Sequence, residues 1–209
     1  MEQNQRQKRL RLLVSKLNKE RKKQAKKIDM LCNDLITAQR DFIKKLTAIS
    51  YAADFYKSII GINDLGKLLS TAKKLIINEN TETNVSFFLR NTNNSGIYVS
   101  ESDKSITSKD NHLESYFTTE VIENICKSNK ICTLDEMFAM GLQGNLIELN
   151  KISAFTIPLS QLGRSLGFIL IHRPLDSKLT SDELNKISAI SCGLSRAIQS
   201  CKAFSHVSD

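Results

Sequence analysis

The stretch from residue 152 to residue 204 allows few folds. In Ser153-Ala154-Phe155-Thr156-Ile157-Pro158-Leu159 the apolar residues fall on every second position from Phe155, the period of a strand with one buried face. Gln161-Leu162-Gly163-Arg164 is turn material, and Ser165 to His172 is a second run rich in β-branched and aromatic residues. Pro158 lies near the end of the first run and Pro174 just after the second, where a missing ladder N–H is tolerated. Leu179-Thr180-Ser181-Asp182-Glu183-Leu184 then opens a helix. Thr180 with Glu183 has the spacing of a capping box, and Leu179 with Leu184 that of a hydrophobic staple.

Upstream, Asn63 or Asp64 is placed to cap a helix with Leu65, Leu68, Leu69, Ala72, Leu75 and Ile76 on one face. Val85 to Arg90 reads as a strand, residues 91–96 as a hairpin turn, and Ile97-Tyr98-Val99 as the returning strand. A polar loop follows over residues 101–111. Thr119 to Lys127 is a helix with Val121, Ile122 and Ile125 inward, Ile131 to Leu134 is a short strand, and residues 140–150 read as loop. Helix, hairpin, helix, short strand, hairpin, helix makes an α+β domain: an antiparallel sheet with helices on one face.

This order resembles a GAF domain. The residues that carry the resemblance are Phe155, Pro158 and Leu159, the turn at Gly163, then Gly167, Ile169 and Ile171. In the last helix they are Thr180, Glu183, Leu184, Leu194, Ala197 and Ile198, and the resemblance extends over residues 64–204. It implies a five- or six-stranded antiparallel sheet whose first and last helices cover one face while a ligand pocket opens on the other. It further implies a sensory or regulatory module, and it names neither ligand nor cofactor. From strand alternation and helix face, Phe88, Tyr98, Phe117, Val121, Thr133, Phe155 and Ile157 are the candidates to line the pocket.

A long helix precedes the domain. From Leu10 to Ile59 there is neither Gly nor Pro, and an apolar heptad runs through the segment. Its a positions are Val14, Arg21, Ile28, Leu35, Phe42, Ile49 and Tyr56, and its d positions are Leu10, Leu17, Gln24, Leu31, Ala38, Lys45, Ala52 and Ile59, with Arg21, Gln24 and Lys45 interrupting the seam. β-Branched or bulky a residues with Leu at d favour two parallel strands, so a parallel homodimer is expected. Past Leu46 the apolar face widens to include Ala52, Phe55 and Ile59, which asks for a second surface. The last helix is the expected cover, and Leu194 and Ile198 are expected with Leu10, Val14, Leu17, Ile28, Leu31, Leu35, Phe42 and Ile49 at the dimer interface. The division expected is 1–60 for the coiled-coil helix and 61–209 for the GAF-like sensor domain.

Charge follows that division. Residues 1–47 hold 14 Lys/Arg against 5 Asp/Glu, and residues 48–209 hold 16 against 17, so the net +8 belongs to the helix. The basic run from Arg6 to Lys27 carries no aromatic residue to stack on bases and overlaps the seam instead of preceding it. Both points argue against nucleic acid and for a solvated coiled-coil surface. No apolar run is long enough to span a membrane, and the N-terminus has no secretory core. Five scattered cysteines without Cys-x-x-Cys suit a reducing compartment, so a cytoplasmic protein is expected.

No catalytic constellation is visible. Gly61-Ile62-Asn63-Asp64-Leu65-Gly66-Lys67 has the glycine and lysine spacing of a phosphate loop, but Leu68 supplies no hydroxyl and a helix precedes it; a helix C-cap followed by an N-cap explains the same residues. His112, His172 and His206 lack metal-ligand spacing. His172 reads as a satisfied edge residue, and His112 retains a role only by analogy with haem-binding GAF domains. Cys126 and Cys132 read as small buried hydrophobes, with Lys127 and Lys130 near enough in sequence to activate a thiol. The Asn-Lys, Phe-x-x-x-Asp order of cyclic-nucleotide-binding GAF domains is not reproduced, and the chain is not expected to be an enzyme. The expected function is a regulatory module that dimerises through its coil and passes ligand occupancy to a signalling partner or output domain. Two alternatives stand beside it: a ligand-free GAF fold used for dimerisation or docking, and a basic coiled-coil protein that binds nucleic acid.

Overall fold

The computed structural model describes residues 2–77, 82–90, 97–100 and 113–205. The expected turn at 91–96, the loop at 101–111, His112, His206 and the side chains of Tyr98 and Phe204 lie outside the described residues. The chain divides into two compact units, Met1–Thr47 and Ala48–Asp209.

The first unit is helix alone. Helix α1 (Glu2–Ile59) begins ahead of the expected Leu10, because nothing before that residue breaks it. Its heptad residues Leu10, Val14, Leu17, Ile28, Leu31, Leu35 and Phe42 are all exposed in the single chain.

The second unit starts at Ala48 and not at residue 61. The physical reason is that Phe55 and Ile59, on the last turns of α1, are buried in its core. Gly61, at φ +79°, ends the helix. The Asp64 carboxylate accepts the Lys67 N–H at 2.6 Å and caps α2 (Leu65–Ile77), so the loop-like glycine and lysine spacing is a C-cap followed by an N-cap.

Among the described residues five strands form one antiparallel sheet: β1 (Asn84–Arg90), β2 (Ile97–Ser100), β3 (Cys132–Thr133), β4 (Ile152–Gln161) and β5 (Arg164–Pro174), in the order β2-β1-β5-β4-β3. The β4–β5 turn has two residues, Leu162 and Gly163, both at positive φ (49° and 78°) between paired Gln161 and Arg164. That geometry matches the right-handed twist of the strands it joins. Strand β5 is central, and Phe168, Ile169, Leu170 and Ile171 are all buried. A strand covered on both faces reads as a continuous apolar run, as this one does.

One face of the sheet packs against α2, the end of α1 and α6 (Ser181–Ser205). Here Leu194 and Ile198, expected at a dimer face, are fully buried against the chain's own sheet. Burying each is worth about 1.5–3 kcal/mol, a gain realised without a second copy. The other face carries α3 (Thr119–Ser128), α4 (Leu134–Ala139), α5 (Leu146–Leu149) and the 3-10 turn Leu113–Tyr116. Helices therefore cover both faces, not one. Helix α4 was unexpected, although Thr133 and Glu136 form a full capping box like that at Thr180 and Glu183.

Candidate functional site

The sheet face beneath α3 is built in cross-strand rows. Ser86, Leu170, Thr156 and Cys132 form one row across β1, β5, β4 and β3. Asn84, His172 and Ala154 form the row on one side of it, and Phe88, Phe168 and Pro158 the row on the other. Directly opposed residues share a face, so the register alone brings these groups together.

The aromatic row is closed from above by Phe117. Phe88 stacks on Phe168 with ring centroids 4.8 Å apart, and Phe117 lies 5.1 Å from Phe88 and 6.1 Å from Phe168. Val121, Ile125, Met137 and Leu149 complete the apolar cover.

Polar groups interrupt this apolar face. The 3-10 turn places Glu114 over it; the Ser86 hydroxyl donates to Glu114 Oε1, and His172 Nε2 is 3.8 Å from the same oxygen. Burial by itself would raise the Glu114 pKa. The His172 imidazole beside it, the hydrogen bond from Ser86 and its own backbone together outweigh that cost and hold it down at about 2. Glu114 is thus a carboxylate at neutral pH with its side chain only 13% exposed. Thr156 Oγ1 is fully buried and has no hydrogen-bond partner among the described residues. An unpaired buried hydroxyl costs about 1–3 kcal/mol.

The cysteines of this region are not poised to react. Burial pushes the Cys126 thiol up, which suppresses the thiolate. The buried Cys132 thiol donates to the Lys130 carbonyl at 3.4 Å. Among the described residues no group of three or more His, Cys, Asp or Glu could hold a metal ion, and no helix is long and apolar enough to cross a membrane.

Of the expected pocket residues, Phe88, Phe117 and Val121 meet on this face. Ile157 and Phe155 do not: they pair with Ile169 and Ile171 and pack towards α6 on the opposite face. Thr133 is exposed and spends its hydroxyl on the α4 cap. The residues missed were Ser86, Glu114, Thr156 and His172. Period two held the signal for one of them, since a strand that turns Phe155, Ile157 and Leu159 one way must turn Thr156 the other.

No family model matches this chain, and neither does any curated protein. Solved structures do resemble it. The GAF domain of an Acinetobacter phosphoenolpyruvate-protein phosphotransferase is 13% identical, with a TM-score of 0.54 over 76% of this chain and 94% of that one. A GAF domain/HD domain protein from Geobacter sulfurreducens is 10% identical, with a TM-score of 0.51 over 69% and 98%. The fRMsr of Staphylococcus aureus, in complex with its substrate, is 12% identical, with a TM-score of 0.51 over 72% and 95%. Likeness at such identities is likeness of fold.

Proposed function

We propose that this chain, whose second unit has the GAF fold, is a regulatory module that takes a small polar ligand on the sheet face holding Ser86, Glu114, Thr156 and His172. The observation that carries the reading is the buried Thr156 hydroxyl, without a partner among the described residues and set in the same row as Ser86. A ligand group that bonded it would remove the cost of leaving it unpaired. Phe88, Phe117 and Val121 supply the apolar wall, and ionised Glu114 favours a ligand that donates hydrogen bonds.

Two copies associate, in this reading, through Ile28, Leu31, Leu35, Phe42 and Ile49 of α1. Helix α1 continues without interruption into the domain core at Phe55 and Ile59. A shift of the sheet against these residues would alter the helix pairing and reach a signalling partner by that route.

A thermal-shift screen of a panel of small metabolites tests the ligand. A compound that raises the melting temperature of the wild type but does little for Thr156→Val and Glu114→Gln supports the site, and a panel that never separates the three proteins sinks it. Sedimentation velocity tests the pairing: Leu31→Lys with Phe42→Lys yields a single subunit, and an unchanged wild-type dimer would refute the seam.

A second reading has its own observation. Phe88, Phe117 and Phe168 fill their face with ring contacts of 4.8–6.1 Å, as a domain used only for docking would. The same screen separates the two. Likeness to fRMsr brings in a third outcome, turnover of a bound compound, which the screen's hits would be assayed for.

A further inference from the structure

The long helix is two different surfaces joined end to end. Residues 28–49 carry three acids (Asp29, Asp34, Asp41) and three bases (Arg40, Lys44, Lys45), and their a positions are Ile28, Leu35, Phe42 and Ile49. That half suits a second copy of itself. Residues 6–27 carry eleven Lys/Arg and a single acid, Glu20, which already pairs with Lys23 at 3.3 Å. Along about 32 Å of helix the net charge is therefore +10, from eleven minus one.

A second copy fits the basic half badly. In parallel register Arg21 meets Arg21 at a core position, and Arg6 meets Arg11 across the flank. Like charges at such positions destabilise the pairing. Yet an apolar row crosses the same segment: Leu10, Leu13, Val14 and Leu17 are 58%, 63%, 56% and 68% exposed. A shallow groove of about 650 Å³ has Leu10 and Val14 as its apolar floor and Arg11, Lys19 and Lys22 among its cationic lining.

Three polyanions could neutralise the charge, and they differ in what they do with the leucines. A nucleic-acid backbone would pair with the cations and leave the row in water. An anionic bilayer would take up Leu10 to Leu17, but residues 18–27 offer it only Ala25 and no aromatic anchor. An amphipathic helix with acidic flanks satisfies both halves of the surface, since it covers the row with its own apolar stripe and sets carboxylates against Arg6, Arg11 and Arg21.

We propose that residues 6–27 are the docking surface for an acidic amphipathic helix of a partner protein, while residues 28–49 pair with a second copy. The docking does not depend on the ligand proposed for the domain.

The test uses the full chain and fluorescence anisotropy with a designed three-heptad peptide. The peptide has Ile and Leu at its a and d positions, Glu at e and g, and a Glu opposite Arg21. Saturable binding that weakens as salt rises is the expected result. A control peptide of equal charge, with Ser in place of Ile and Leu, binds at least about tenfold more weakly. The triple variant Leu10→Ser, Val14→Ser, Leu17→Ser loses the designed peptide by a similar factor, and sedimentation reports whether pairing through residues 28–49 survives, so the two readings fail separately. Circular dichroism confirms that the variant keeps its helix. Arg21→Glu weakens binding as well. Equal binding of the two peptides would overturn the proposal, and so would tighter binding of a 24-base-pair duplex DNA or of phosphatidylserine vesicles.

Discussion

The ring of Tyr56 lies where a side chain on Gly193 would have to go: a Cβ there would come within 2.2 Å of Tyr56 Cε1. The Tyr56 hydroxyl donates to the Ala189 carbonyl at 2.9 Å and accepts the Gly193 N–H at 3.3 Å. A tyrosine at the base of the long helix is thereby locked onto the last helix, which is how the end of α1 becomes part of the domain.

Gly193→Ala would ordinarily stabilise a helix interior by about 1 kcal/mol. Here the added carbon meets an aromatic ring, and overpacking of this kind costs about 1–3 kcal/mol. The variant should be less stable than the wild type in urea unfolding. Tyr56→Phe, which keeps the ring and loses the two hydrogen bonds, should cost about 1 kcal/mol per bond lost.

Gly167 is a stricter case. Its φ is +142°, and a Cβ would fall 1.9 Å from the Phe88 carbonyl oxygen, a backbone atom that cannot step aside without breaking the β1–β5 ladder. Gly167→Ala should cost more than about 3 kcal/mol and be recovered mainly in insoluble form. A soluble variant with native near-ultraviolet circular dichroism would contradict the pairing of Gly167 with Leu89 in that ladder.

Glu114 gives the domain a signature in acid. Its carboxyl is held at about 2 against an ordinary 4.5, so the folded chain binds fewer protons than the unfolded one between those values. The stabilisation is complete above about pH 4.5 and is lost as pH falls towards 2, amounting to about 3 kcal/mol at most. Glu114→Gln should remove that slope from a plot of unfolding free energy against pH. If the slope persists unchanged, another carboxylate is responsible.

Arg173 ties β5 to α6 and to the residue just before β1. It is buried, donates from Nε to Thr83 Oγ1 at 2.7 Å, and from Nη1 to Glu183 Oε1 at 2.9 Å, while Glu183 also closes the Thr180 cap. Arg173→Met should destabilise by about 2 kcal/mol or more, because it strands both the Thr83 hydroxyl and the inner oxygen of Glu183. Thr180→Ala, which removes only the cap, should cost about 1 kcal/mol. A larger loss for the cap than for Arg173 would reverse that order of importance.

Most of the fold is legible in local rules, because each signal is local physics. Thr180 with Glu183, Gly61 after a long glycine-free run, and the alternation around Phe155 each state what the backbone does within a few residues. The capping box at Thr133 and Glu136 has the same spacing as the one at Thr180, yet the short strand before it masks the helix it opens, so α4 comes as a correction.

The sequence by itself determined the long elements, their order and the two-part charge of the first helix, while the short helices α4 and α5 escaped it. Only the tertiary structure decided which face of the sheet each strand residue meets. Period two separates Thr156 from Phe155 and Ile157 but does not say which set meets α6; that depends on which helix has the larger apolar stripe to cover, a comparison made across the whole chain. Glu114, Ser86 and His172 come from three separate segments and meet through strand register and one 3-10 turn. Leu194 and Ile198 suit an intermolecular surface in the sequence and an internal one in the fold for the same reason: an apolar helix face records that it must be covered, and not by what.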